Sequence, residues 1–161
     1  MKPVIGITLH TESKTEIKRA IFIGHELCIK PNIAIRVNPA FELKSSGMKM
    51  AGGAKPFGID EEQVFELLPT LDYSAMNFRG FHIFAGSQNL NADAIIEMHG
   101  KTFDLAAKLK TATPVSIDYV NIGGGLGIPY FPGEKWLDID PIIEQLNLVL
   151  QKHHHIHLPP K

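Results

Sequence analysis

Tyr119-Val120-Asn121-Ile122-Gly123-Gly124-Gly125 runs from an apolar stretch into three consecutive glycines, and the place of that junction in the chain decides the fold. Glycines that end a buried strand leave backbone N–H groups bare and close enough to cradle a phosphate. They serve a tight strand-to-loop turn equally well, and the triplet alone does not choose between the two. Position is more informative. A dinucleotide-binding sheet carries Gly-x-Gly-x-x-Gly after its first strand, with an acidic residue ~20 positions further on. Here the glycines follow the last strand, and (β/α)8 barrels bind phosphate on loops after late strands.

Upstream, Phe78-Arg79-Gly80-Phe81-His82-Ile83-Phe84-Ala85-Gly86-Ser87-Gln88 reads as a strand apolar on both faces, ending in a Gly-Ser turn. It brings one imidazole and one hydroxyl to a strand end. A lone histidine in such a strand is commonly a satisfied core residue. That two strands finish in phosphate-competent chemistry favours a functional His82 and Ser87.

Four strand-then-helix units follow one another. The first strand spans Val4 to Leu9, and Ser13-Lys14-Thr15-Glu16 forms a capping box for a helix with Ile17, Ala20, Ile21, Gly24 and Cys28 on one face. The second strand spans Ile33 to Val37, and Asp60-Glu61-Glu62-Gln63 caps a helix with Val64, Leu67, Leu68 and Leu71 inward. The third strand carries His82, and its helix starts near Asn91 with Ile95, Met98, Thr102, Leu105, Ala106 and Leu109 at helical spacing. The fourth strand spans Ile117 to Ile122. Asp140-Pro141 then provides a cap and a first-turn proline ahead of Ile142, Ile143, Leu146, Val149 and Leu150.

Alternating β and α with buried strands means a parallel α/β sheet. A whole barrel takes about 250 residues, and the 161 residues here supply about four βα units. A four-strand arc leaves two open edges, so the expectation is an incomplete barrel or one needing a partner. The loop from Asn38 to Gly58 is long for a compact domain and basic through Lys44, Lys49 and Lys55. It reads either as a solvated loop or as a lid over an anionic ligand.

A net charge of −1 with interspersed signs gives no basic stripe for nucleic acid and no attraction to an anionic membrane. The 44% hydrophobic content suffices for a core. Cys28, the single cysteine, reads as packing and fits a reducing, cytoplasmic setting. No signal peptide or membrane span is read. His153-His154-His155-Ile156-His157 reads as a solvated helix end rather than a metal site, because adjacent histidines cannot all face one ion. No metal is expected.

Ile35-Arg36-Val37-Asn38-Pro39, Phe57-Gly58-Ile59, Gly80-Phe81-His82 with Gly86-Ser87-Gln88, and Ile122-Gly123-Gly124-Gly125-Leu126-Gly127 resemble, in order and spacing, the fold-type III pyridoxal-phosphate decarboxylases. These are the diaminopimelate, ornithine and arginine decarboxylases, whose cofactor domain is an alanine racemase-like barrel. The resemblance runs from about Ile7 to the C-terminus and implies barrel strands four to seven. Ile83-Phe84-Ala85 lengthens the His-to-Gly-Ser spacing by two over most of the family. With Gly127-Ile128-Pro129-Tyr130-Phe131-Pro132-Gly133-Glu134, this is similar to the subgroup of butirosin-type and exosortase-associated decarboxylases.

The resemblance implies pyridoxal 5'-phosphate as cofactor, with His82 stacking on its pyridine ring and Ser87 donating to its phosphate. Gly123, Gly124 and Gly125 then offer backbone N–H groups to that phosphate, and Arg36 faces the cofactor side of the barrel. It implies an amino acid substrate, free or linked to a carrier protein, and a homodimer for the complete enzyme. It places the family's cofactor-bound lysine, its eighth-strand Glu-Pro-Gly-Arg segment and its C-terminal β-domain outside residues 1–161. The chain alone is therefore expected to be inactive. Two other readings stand beside this one: a non-catalytic phosphate-binding or regulatory homologue that pairs with an intact decarboxylase, and an unrelated sugar-phosphate barrel enzyme. The latter calls for carboxylates at strand ends, where Glu12 and few others are available.

Overall fold

The computed structural model describes residues 6–41 and 57–153. Its elements are β1 (Thr8–Thr11), α1 (Lys14–Glu26), β2 (Asn32–Asn38), β3 (Ile59–Asp60), α2 (Glu61–Leu67), β4 (Asn77–Ile83), α3 (Ala92–Ala112), β5 (Tyr119–Asn121) and α4 (Asp140–Lys152). All strand pairings are parallel, in the order β1-β2-β4-β5. The two-residue β3 pairs Val37 and Asn38 at the end of β2. Since Val37 also pairs Ile83 of β4, β3 lies on the β1 side, collinear with it. The four expected staves are present, and β3 is a short addition that the sequence reading did not contain.

Strand neighbours follow chain order with no reversal, unlike the switch point of a doubly wound sheet. The helices also take one side. Ile33, Ile35, Val37, Phe81 and Ile83 alternate onto a single sheet face and form one cluster with Ile17 of α1, Val64 and Leu67 of α2, and Leu105, Ala106 and Leu109 of α3. Burying each such side chain contributes about 1.5–3 kcal/mol. The other face carries polar side chains. One apolar and one polar face, with sequential parallel strands, describe an arc of barrel wall with helices outside.

A β-bulge sets the phase of β4. Phe78 pairs Ile33, but the next partner of β2, Ala34, faces Gly80, so Arg79 is the extra residue. Phe78 and Phe81 therefore share the helix-side face, their rings 5.5 Å apart at 76°. Arg79 also binds the neighbouring segment: its carbonyl accepts the Asp118 N–H at 3.1 Å and its Nε donates to Asp118 Oδ1 at 2.7 Å.

Several local expectations hold. Ser13 Oγ accepts the Glu16 N–H at 3.2 Å, and the Glu16 carboxylate reaches back to the Glu12 N–H at 2.6 Å, closing the capping box one residue early. Asn91 caps α3 through Ala94, and Ile95, Met98, Thr102, Leu105, Ala106 and Leu109 are all buried.

Others are corrected. β1 is displaced toward the C-terminus because its ladder starts at Thr8 against Asn32, and residues 1–5, with Val4 and Ile5, lie outside the described residues. β5 is shorter than Ile117 to Ile122, ending where Gly123 takes a φ of +77°. Asp60 occupies the cap position of α2 but spends Oδ1 on Asn38 Nδ2 at 2.6 Å. Asp140 is the first residue of α4 rather than its cap: Ile139 holds the cap position without a side-chain cap bond, and Asp138 just before it accepts the Asp140 N–H at 3.2 Å. On α4 only Ile142 is buried, and Ile143 and Leu150 are exposed. Cys28 lies beyond α1, exposed, at a φ of +53°, so it does not pack. His153 is buried, its ring 5.9 Å from Phe103 and its Nε2 3.3 Å from Asp104 Oδ1. The rest of the histidine run and Lys44, Lys49 and Lys55 of the long loop lie outside the described residues.

Candidate functional site

Parallel pairing puts in-register residues of neighbouring strands on the same face. Arg36 pairs His82, and His82 pairs Asn121. Extending the ladder from Thr11↔Ile35 adds Glu12 beside Arg36, so Glu12, Arg36, His82 and Asn121 form one polar row across the inner face. The row beneath consists of His10, Ala34, Gly80 and Tyr119. With almost no side chain at Ala34 and Gly80, His10 and Tyr119 meet across two intervening strands, Tyr119 Oη lying 3.2 Å from His10 Nε2. His10 also reaches upward, its Nδ1 3.1 Å from His82 Nδ1.

Arg36 is already engaged. Its Nη1 donates to Glu12 Oε1 at 2.7 Å, and its guanidinium lies 5.4 Å from the Phe57 ring centroid and 5.6 Å from that of Phe84. The second Glu12 oxygen accepts the Gly58 N–H at 3.3 Å. The pair thus ties β1 to β2 and to the end of the long loop.

Beyond the strands, the loops after β4 and β5 continue side by side. Asn89 and Leu126 form a parallel bridge, with Asn89 N–H donating to Gly125 O and Gly127 N–H to Asn89 O, both at 2.9 Å. Ser87 and the glycine triplet are thereby brought together. A Cβ on Gly125 would lie 2.4 Å from Gly86 O and 3.5 Å from Ser87 Cα. Gly123 and Gly125 hold φ values of +77° and +96°, where a side chain is disfavoured. Gly123 spends its N–H on Asn121 Oδ1 at 2.8 Å, so its part is conformational. Gly124 is exposed, with nothing within 4 Å of a would-be Cβ. An anion can approach the backbone there, and the residues present fit a phosphate.

His82 is half-buried, and its pKa is pushed below the ordinary 6.5 by burial, then by His10 and Arg36, with Glu12 pulling the other way. Burial lowers His99 likewise. A histidine whose folded pKa is depressed binds fewer protons folded than unfolded, so stability is full above about pH 6.5 and falls as the pH drops below it. The protein is expected to melt at progressively lower temperature from pH 7 to pH 5.5, and His99→Leu should flatten part of that slope. Thermal melts across this range check it; a slope unchanged in the variant would remove His99 from the account.

Sequence reasoning singles out His82, Ser87, Arg36 and the glycines as candidates but gives no part to the side chains of His10, Tyr119 and Asn121, which meet only once the strands are in register. Among the described residues no group of three or more His, Cys, Asp or Glu side chains could hold a metal ion, and no helix is long and apolar enough to cross a membrane.

A parallel arc with helices outside, polar rows inside, and Ser87 beside the glycine triplet where two loops leave late strands is part of a (β/α)8-type barrel domain. Residues 5–160 match the pyridoxal binding domain of the pyridoxal-dependent decarboxylases, and the chain belongs to that family. It is 36% identical over 139 residues to the L-glutamyl-[BtrI acyl-carrier protein] decarboxylase of Niallia circulans, covering 82% of this chain and 32% of that protein. It is 33% identical over 108 residues to the diaminopimelate decarboxylase of Thermoplasma acidophilum, covering 66% and 27% respectively. The crystal structure of diaminopimelate decarboxylase from M. jannaschii with L-lysine superposes with a TM-score of 0.77 at 26% identity, over 96% of this chain and 36% of that one. The chain thus spans about a third or less of the curated relatives it matches.

Proposed function

We propose that this chain is the cofactor-holding part of an amino acid decarboxylase, its remaining barrel strands, reacting lysine and C-terminal domain being supplied by other sequence. The observation that carries this is the bridge between Asn89 and Leu126, which sets Ser87 beside Gly125 beyond the strand bearing His82. Ser87 Oγ and the N–H groups of Gly124 and Gly125 hold the phosphate. His82, kept neutral by its surroundings, offers its ring to the pyridine. Arg36, neutralised by Glu12, braces the wall and Phe84 rather than competing for the phosphate. Pyridoxal phosphate, when bound, supplies an electron sink for the pair released as a carboxyl group leaves as CO2. The substrate is an amino acid, free or carrier-linked, in line with the relatives' names, and the complete enzyme is a homodimer.

In the full-length protein, Ser87→Ala is expected to weaken pyridoxal-phosphate binding roughly tenfold, as losing a hydrogen bond to a charged group does. His82→Ala is expected to slow CO2 release from the amino acid. Cofactor titration by absorbance and CO2 assay check both. Binding and turnover like wild type in both variants would refute the assignment.

A further inference from the structure

Three side chains, His10, Tyr119 and Asn121, link His82 to the glycine loop, and their donor directions can be worked out. Gly123 N–H donates to Asn121 Oδ1 at 2.8 Å, which fixes the amide so that Nδ2 donates to Tyr119 Oη at 3.3 Å. The phenol oxygen accepts there, leaving its own O–H for His10 Nε2 at 3.2 Å. An imidazole that accepts at Nε2 carries its proton on Nδ1 when neutral. That proton points along the 3.1 Å contact to His82 Nδ1. His82 therefore accepts at Nδ1 and keeps its own proton on Nε2. Protonating His10 reverses only the Tyr119 link, since His10 Nδ1 then still donates.

We propose that His10 and Tyr119 are positioning residues that hold His82 as the neutral Nε2–H tautomer and tie its ring to the glycine loop through Asn121. The two ends of the cofactor reading then move as one unit. A shift of Gly123 is felt at the imidazole through four hydrogen bonds, without rearrangement of β4. The groups facing His82 are His10 of β1 and Glu12 just after it, Arg36 of β2, and Tyr119 and Asn121 of β5. Burial first, then His10 and Arg36, depress the pKa of His82, the direction expected of a ring that accepts at Nδ1. The tautomer stands on geometry alone, whereas its use rests on reading His82 as the cofactor's ring partner.

The test is long-range 1H–15N correlation of imidazole signals in 15N-labelled full-length protein free of cofactor, at pH 7.5 and through an acid titration. Wild type is expected to show His82 as Nε2–H with an accepting Nδ1. In His10→Phe the two ring nitrogen shifts should converge as tautomers exchange, and the protonation midpoint should rise toward 6.5. Tyr119→Phe should move both in the same sense, by less. A wild-type His82 protonated on Nδ1, or unchanged shifts and midpoint in both variants, would overturn the proposal; a change in His10→Phe alone would strike Tyr119 from the line. Adding pyridoxal phosphate to the wild-type sample separates the two readings. Failure to bind defeats the proposed function and leaves the tautomer standing, while binding without the lock defeats only the relay.

Discussion

Gly80→Ala is expected to destabilise the protein by about 4 kcal/mol, near the upper end for a single substitution. Gly80 follows the bulged Arg79 with a φ of +140°, a conformation that side chains rarely adopt. A Cβ there would lie 2.0 Å from the carbonyl oxygen of Tyr119, its partner on β5. That atom is backbone, so no rotamer change relieves the contact. Either the β4–β5 pairing opens or the bulge is rebuilt, and both displace His82 two residues on. The control is Gly100→Ala, within α3, where nothing lies within 4 Å of the added methyl. Helix propensity makes that change stabilising by up to about 1 kcal/mol. Denaturant unfolding of the two variants should therefore move in opposite directions, and a Gly80→Ala protein as stable as wild type would show that the bulge is not built as described.

Gly125→Ala should reduce pyridoxal-phosphate affinity by roughly 100-fold or more, the equivalent of about 2.7 kcal/mol. Its φ of +96° and the 2.4 Å approach to Gly86 O leave the methyl only two outlets, backbone strain or separation of the two loops. Separation breaks the Asn89 to Leu126 bridge and carries Ser87 away from the triplet. Gly124→Ala provides the contrast, since its surroundings are open and its φ is not positive. It should leave the melting temperature close to wild type and lower affinity only by crowding the phosphate. Isothermal titration with cofactor, beside melts of the free proteins, reads the two quantities separately. Equal affinity in Gly125→Ala and wild type would remove the glycine loop from the site.

Periodicity carried far where the environment is uniform. α3 is long and packed along one face, so each residue expected inward is inward. The parallel strands alternating with helices are readable for the same reason. α4 shows the limit: its apolar spacing is visible, but spacing does not say how much of that face a neighbour covers, and only Ile142 is buried while Leu146 and Val149 are half-covered. Cys28 reads as inward only if the helix continues through it, and the residue adopts positive φ instead. Asp60 reads as a side-chain cap because local pattern cannot see Asn38, 22 positions away.

The site divided along similar lines. His82, Ser87 and the glycines belong to contiguous motifs. His10, Tyr119 and Asn121 are united only by ladder register, and a one-residue bulge at Arg79 determines which residues share a row. The strand reading, apolar on both faces, concealed that phase change. Glu12 was noticed as a strand-end carboxylate, yet its role as the counter-ion of Arg36 depends on a pairing between separate strands.

Ala34 and Gly80 do their work by being nearly empty. Ala34 is wholly shielded from solvent and has the smallest side chain after glycine, and His10 and Tyr119 meet across the wall in the space above these two residues. A branched side chain at position 34 would fill that space and insulate His10 from Tyr119, at some cost in packing around a residue that is wholly shielded. Communication within this domain is thus vulnerable at a residue that bears no functional group.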